Sequence, residues 1–160
     1  MTRRLRTVGL GFLGAAPLRL VFHAEVAAAP DAVFDQLRTT ADWPRWFAAV
    51  TEARPVDGGR GREVQLRGGT RFTETILAAE PAERYAYRVD ATNAPGLRAL
   101  LEEWRLTPSG NGAGTRVRYT LAVDAPAPLR WAMTLGRAGV GRAFRRAMRA
   151  LDRRVASAGR

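Results

Sequence analysis

The sequence of 160 residues contains no Cys, no Lys and only one His, His23. Without Cys the chain has no disulfide framework, no thiol nucleophile and no Cys-based zinc or iron–sulfur site. Without Lys it has no Schiff-base lysine and no phosphate-loop lysine. A single His would leave metal binding to carboxylates. We therefore expect neither a metal nor another cofactor.

The composition indicates one globular domain. Hydrophobic residues make up 46% of the chain, which suffices for a sizeable core at this length. The net charge of +11 comes from Arg alone and lies at the two ends. Residues 130–160 hold nine Arg against one acid, Asp152, whereas residues 25–129 are nearly neutral.

Such a basic end has two interpretations. It could attract nucleic acid or anionic lipid, or it could be the solvated face of a helix. The chain lacks a groove-reading motif and exposed aromatic residues among the Arg residues, so we expect no specific nucleic-acid partner. A weak contact with an anionic membrane surface remains open.

The N-terminal residues have some features of a secretion signal. Three Arg in residues 3–6 precede the mildly apolar stretch Val8–Leu18. Three Gly and Pro17 interrupt this stretch. No small-x-small site for a signal peptidase occurs at which cleavage would leave the following strand intact. We expect a cytoplasmic protein in which residues 1–17 form a flexible or extra segment. No run approaches the 18 or more apolar residues that span a membrane.

The same segment matches the dinucleotide-binding pattern G-x-G-x-x-G at Gly9, Gly11 and Gly14. A genuine fingerprint follows a buried strand and opens a helix. Here a short Arg-rich stretch precedes the glycines and Pro17 follows them. We interpret the match as fortuitous.

Alternating apolar residues predict a strand over Leu18–Ala27, with His23 on its polar face. Pro30 and Asp31 begin a helix that runs to Arg38, and a second short helix is predicted over Ala41–Ala49. From Val50 onwards, apolar residues recur at every second position, which is typical of strands. Short turns make the following strands antiparallel. These strands lie at about 50–56, 62–67, 70–79, 83–92, 98–107 and 115–124.

Two helical segments end the chain, at Leu129–Leu135 and at about 140–156. The second is amphipathic. Its apolar stripe consists of Val140, Phe144, Ala147, Met148, Leu151 and Val155, and its opposite stripe of Arg142, Arg145, Arg146, Arg149 and Arg153. We predict an α+β fold. A curved seven-stranded antiparallel sheet carries two short helices after its first strand, and the long C-terminal helix lies on one face.

Three stretches resemble a known superfamily: Val26–Pro30, Asp42–Trp46 and Glu80–Tyr87, the last followed by Glu103-Trp104 and Gly114–Val117. The chain is similar to SRPBCC (START-like, helix-grip) domains, and within them to bacterial proteins of the polyketide cyclase/dehydrase type. The resemblance covers about residues 18–156, so that residues 18–157 would form a single helix-grip domain. It implies that the sheet grips the long helix and that a hydrophobic ligand binds between them.

Large inward-facing side chains are candidates for the wall of such a cavity, although they could equally pack together as an ordinary core. The candidate ligand-binding residues are Trp43, Trp46, Phe72, Tyr85, Tyr87, Trp104, Tyr119, Phe144 and Met148. Glu74 and Glu102 lie at alternate positions with apolar neighbours, so each is on the same side of its strand as those neighbours. If they face inward, burial would raise their pKa values and either could act as a general acid or base. The alternative is that each pairs with an Arg or reaches solvent.

Three functions remain open from the sequence. The first is binding of a hydrophobic small molecule, such as a lipid, polyketide or isoprenoid-like compound, by a monomer or homodimer. The second is a polyketide aromatase/cyclase, a lyase or isomerase that folds its substrate and uses Glu74 or Glu102. The third is a module that associates with an anionic membrane surface or a partner through the Arg-rich C-terminal helix.

Overall fold

A computed structural model describes residues 1–160 and shows an antiparallel sheet that packs against the long C-terminal helix. The element bounds are β1 (Arg3–Arg4), α1 (Phe12–Ala15), β2 (Leu18–Val26), α2 (Pro30–Arg38), α3 (Trp43–Trp46), β3 (Val50–Val56), β4 (Gly61–Leu66), β5 (Arg71–Glu80), β6 (Arg84–Thr92), β7 (Ala99–Pro108), β8 (Thr115–Asp124), α4 (Ala127–Leu135) and α5 (Arg137–Ala158). The predicted α+β class, with a curved sheet and a long C-terminal helix, is confirmed.

The sheet has the strand order β2-β8-β7-β6-β5-β4-β3, and among these seven strands only the β2–β8 pair joins distant parts of the sequence. The other neighbours are connected by short turns, as their spacing predicted. A two-residue strand, β1, adds an eighth member by pairing with β6. Strand β2 is therefore one edge of the sheet, and helix α5 makes its most extensive sheet contacts with it.

Residues 1–17 lie against the sheet. The sequence predicted that they form a flexible or an extra segment. Val8 and Phe12 are buried and pack against Leu101 and Ala122 on the face opposite α5. Leu5 is buried in a separate cluster with Val89. The three glycines lie in the loop and the short helix α1, after a strand of only two exposed residues. This is not the geometry of a dinucleotide-binding turn.

Several predicted helix bounds were wrong. The helix expected over Ala41–Ala49 is a 3₁₀ turn at Thr40–Asp42 followed by α3, which ends at Trp46 because Phe47 is extended. The last helix begins at Arg137 rather than near residue 140, because its N-cap, Gly136, has helical dihedral angles. In its first turn Val140 is 37% exposed, although the periodicity placed it in the buried stripe, whereas the neighbouring Gly141 is buried against Phe22 of β2.

The stretches that carry the family resemblance meet in space. The segment after β2 packs on the start of β8, where the Thr115 hydroxyl donates to the Ala28 carbonyl at 2.7 Å. A Cβ at Gly114 would lie 2.4 Å from the Val26 carbonyl oxygen, so this approach requires Gly. From α5, the two carboxylate oxygens of Asp152 accept hydrogen bonds from the Ala27 and Ala28 amides at 3.0 and 2.9 Å.

Replacing Asp152 with Ala should destabilise the fold. The change leaves the amides of residues 27 and 28 without their acceptor and removes the link between α5 and the end of β2. We expect the free energy of unfolding in urea to fall by about 1–3 kcal/mol. Arg153→Ala, an exposed neighbour on the same helix, is the control and should change it little. Equal stability of the two variants would contradict this role of Asp152.

Candidate functional site

A buried ion pair lies on the helix-covered face of the sheet. Arg62 in β4 and Glu74 in β5 are direct cross-strand partners, and the Arg62 Nε donates to Glu74 Oε2. Both residues are nearly inaccessible to solvent, at 1% and 3%. Burying two charges carries a large desolvation cost, which makes such a pair weak evidence for stability and an unusual choice for a core.

Aromatic rings enclose the Arg62 guanidinium. Its Cζ lies 4.1 Å from the ring centre of Trp43 and 3.8 Å from that of Tyr87, so that cation–π attraction replaces part of the lost hydration. Tyr85 lies farther away, at 5.7 Å. Helix α3 is held over this site because the Trp43 Nε1 donates to the Leu37 carbonyl at 2.8 Å. The Arg62 Nη1, however, has no hydrogen-bond partner.

A second carboxylate continues the polar network. Glu102 Oε2 accepts hydrogen bonds from the hydroxyls of Tyr87 and Tyr119, at 2.5 and 2.6 Å. The Trp104 Nε1 donates to the Tyr87 hydroxyl at 3.1 Å. Tyr87 therefore contacts Arg62 through its ring and Glu102 through its hydroxyl. The two acids that sequence parity singled out are parts of one buried network.

Burial shifts the proton equilibria of this network. It raises the pKa of Glu74 to about 7, because desolvation outweighs the attraction of Arg62 and because Glu102 lies nearby. The pKa values of Tyr87 and Tyr119 are also raised, first by burial and then by the Glu102 carboxylate. Arg62 remains protonated. Glu74 is thus the member of the network that can exchange a proton near neutral pH.

Eight of the nine predicted wall residues belong to one buried cluster around this network. Phe72 differs: it is only partly buried and packs with the cluster that contains Val89 and Leu100. The residues brought together are Trp43, Trp46, Tyr85, Tyr87, Trp104, Tyr119, Phe144 and Met148.

These side chains fill much of the space where the sequence predicted a gap. The ring of Trp104 stacks on Tyr119 with centres 4.2 Å apart, and Phe144 of α5 stacks on Tyr119 at 5.6 Å. A pocket of about 650 Å³ lies at the β3–β5 edge instead, lined by polar residues such as Glu52 and Arg54. The candidate residues come together, but they contact one another, as the ordinary-core alternative expected.

A smaller cleft leads towards the network from outside. Its volume is about 340 Å³, and it lies between the end of α2, the 3₁₀ turn and strand β5. Tyr85 lines this cleft, and its ring faces Arg62 on the inner side. The Tyr85 side chain is thus the layer between the cleft and the buried guanidinium.

Sequence reasoning missed Arg62. The alternation of β4 could have indicated it, because Arg62 lies two positions before Val64 and therefore on the same side of the strand, which was assigned to the interior. His23 is exposed, as its place on the polar face predicted. No group of three or more His, Asp or Glu side chains lies close enough to hold a metal ion.

The chain belongs to the polyketide cyclase/dehydrase and lipid transport family, whose model matches residues 18–156. An uncharacterised protein of Mycobacterium tuberculosis is 30% identical over 151 residues, covering 91% of this chain and 89% of that protein.

No helix is both long enough and apolar enough to cross a membrane.

Solved structures confirm the helix-grip fold. The Zhui aromatase/cyclase from a Streptomyces species superposes with a TM-score of 0.73 at 17% identity, over 89% of this chain and 96% of that one. A START superfamily protein from Mycobacterium smegmatis gives 0.62 at 14% identity, over 87% and 97%. At these identities the similarity concerns the fold alone.

The raised pKa of Glu74 predicts a pH-dependent stability. Because its ordinary value is 4.5, the folded protein binds a proton between about pH 4.5 and 7 that the unfolded chain releases. The contribution is complete below pH 4.5 and is lost as the pH rises through 7. It amounts to about 3 kcal/mol. Urea unfolding followed by Trp fluorescence across this range should show the trend.

Glu74→Gln should flatten this dependence, since Gln does not titrate. The exposed carboxylate variant Glu52→Gln is the matched control and should retain the wild-type slope. A Glu74→Gln protein with the wild-type pH dependence would show that another group is responsible.

Proposed function

We propose that this protein binds a hydrophobic small molecule between the sheet and α5, of the lipid, polyketide or isoprenoid-like class, with a carbonyl or carboxylate group directed at Arg62. The observation that carries the proposal is the unpartnered Nη1 of a fully buried guanidinium inside an aromatic cluster. Such a donor is costly to leave without an acceptor. A ligand oxygen would satisfy it while apolar ligand atoms pack on the rings.

A second unpaired donor supports a polar ligand group in the same region. Trp46 Nε1 is also buried without a partner, and its ring lies 4.7 Å from that of Trp43, which in turn stacks on Arg62. Sites for small molecules combine apolar walls with a few convergent polar groups. Family membership agrees with this assignment at the level of its description, which includes lipid transport.

Entry of a ligand requires the filled interior to open. The cleft beside α2 is the natural route, because moving Tyr85 would connect it to Arg62. The Tyr85 pKa is raised mainly by burial, so its hydroxyl stays neutral. The ring can therefore move without exposing a charge, and the ligand would replace it against the guanidinium.

The proposal predicts binding of a fluorescent fatty acid such as cis-parinaric acid at micromolar concentration. The double variant Arg62→Met/Glu74→Gln removes both charges together and so avoids a lone buried ion. It should weaken binding of the free acid at least tenfold and bind the neutral methyl ester as the wild type does. Arg67→Met, at an exposed position, is the control for loss of one cation. Native mass spectrometry tests for a co-purifying apolar compound.

Failure of the wild type to bind either probe, together with no co-purifying compound, would contradict the proposal. Equal loss of both probes in the double variant would contradict only the role given to Arg62.

A second candidate function is an aromatase/cyclase, and Glu74 is the observation that favours it. A carboxyl group with a pKa near 7 can accept and return a proton at neutral pH. In an aldol cyclisation, Glu74 would take a proton from a methylene between two carbonyls, and Arg62 would stabilise the enolate. The enolate carbon would attack a second carbonyl, and the resulting alkoxide would take the proton back. Loss of water would complete the ring.

This candidate predicts that Glu74→Gln and Glu102→Gln each reduce turnover of a poly-β-ketone at least 100-fold while parinaric acid still binds. The substrate would come from a minimal polyketide synthase in the same reaction, with products measured by mass spectrometry. Glu103→Gln is the matched control, because Glu103 lies next in the strand, pairs with Arg84 and faces the opposite side. Full activity of both test variants would exclude a cyclase that uses these acids.

A further inference from the structure

Helix α4 leaves a large apolar surface uncovered. None of its nine residues is buried. Leu129 and Met133 are partly covered by a core cluster, whereas Trp131 and Leu135 are 73% and 86% exposed. These two residues are one helical turn apart and so share a face. We call Trp131 and Leu135 the apolar tip.

Uncompensated positive charge follows the apolar tip along the chain. Six Arg lie between residues 130 and 149, and no acid occurs from Ala125 to Leu151. Arg142, Arg146 and Arg149 are exposed on one face of α5, and none of them lies within 4.0 Å of a carboxylate. This contrasts with the sheet, where Arg84 and Arg116 have acidic partners.

We propose that the apolar tip and the Arg face of α5 dock on an anionic phospholipid bilayer. Trp favours the membrane–water interface, and Leu favours the acyl region beneath it. The guanidiniums would bind lipid phosphates at the surface of the bilayer. Docking of this kind is peripheral and does not depend on a ligand in the interior.

The charge distribution argues against the other occupants of this surface. A symmetric contact with a second copy would place two unpaired Arg faces together. Nucleic acid would satisfy the guanidiniums, but the aliphatic Leu135 has no favourable environment on a phosphate backbone. A bilayer with anionic headgroups accommodates both the cations and the apolar side chains.

The experiment compares vesicles of phosphatidylcholine with vesicles in which phosphatidylglycerol is about a third of the lipid. The wild-type chain should co-sediment with the anionic vesicles, and the fraction bound should fall at least tenfold between about 50 and about 500 mM NaCl. Three of the four Trp are buried, so a blue shift of emission on binding reports on Trp131. Trp131→Phe should retain binding and lose the shift.

Two multiple variants separate the apolar and charged parts. Trp131→Ser/Leu135→Ser should weaken binding at least tenfold, and so should the triple change of Arg142, Arg146 and Arg149 to Gln. The charge-matched control changes Arg60, Arg67 and Arg71 to Gln, in the turns at the other edge of the sheet, and should remain near the wild type.

Four outcomes would overturn the proposal. They are no binding to anionic vesicles at low salt, equal weakening by the control triple variant, a dimer in sedimentation velocity that the Ser variants abolish, and DNA binding that persists in those variants and competes with the vesicles. The first two would exclude this surface as a membrane contact. The third and fourth would identify a second copy or nucleic acid as its occupant.

Discussion

The buried pair Arg62–Glu74 is the constraint on which the rest of the site depends. A guanidinium without water needs a carboxylate, aromatic faces and further acceptors, and the fold supplies the first two. The carboxylate comes from the neighbouring strand, and the faces come from Tyr87 in β6 and Trp43 in α3. Three separate parts of the chain therefore converge on one cation, and one of its donors is left for another group.

The network also explains why the interior is more than an apolar core. Replacing buried ion pairs by hydrophobic residues is often neutral or stabilising, so their presence calls for a reason other than stability. Here Tyr87 joins the cation to the second carboxylate, Glu102, which carries two phenol hydrogen bonds. A set of polar groups within aromatic walls is suited to orienting an oxygen-bearing hydrophobic molecule. This is the physical basis of both functions proposed for the interior.

Sequence patterns predicted most of the fold, because its strands are joined by short turns and alternate regularly. All seven main strands were predicted to within one residue or so, whereas the long-range pairing of β2 with β8 is known only from the structure. Helix ends were less predictable, since Gly136 accepts helical geometry and Phe47 does not continue α3. At the site, Glu74 and Glu102 are both buried, and Glu74 pairs with an Arg, which is the alternative that the sequence left open for it. Arg62 was missed because an inward Arg looks like a surface residue unless its partner is known.

The sequence by itself determined the fold class, the charge at the two ends and the inward side of each strand, since these follow from local periodicity and composition. Only the tertiary structure decided which inward groups meet. Cross-strand register placed Arg62 opposite Glu74, and the packing of α3 and α5 closed the aromatic shell. It also decided that Trp131 and Leu135 stay uncovered. Burial and hydrogen-bond satisfaction depend on residues distant in sequence, and no local pattern encodes them.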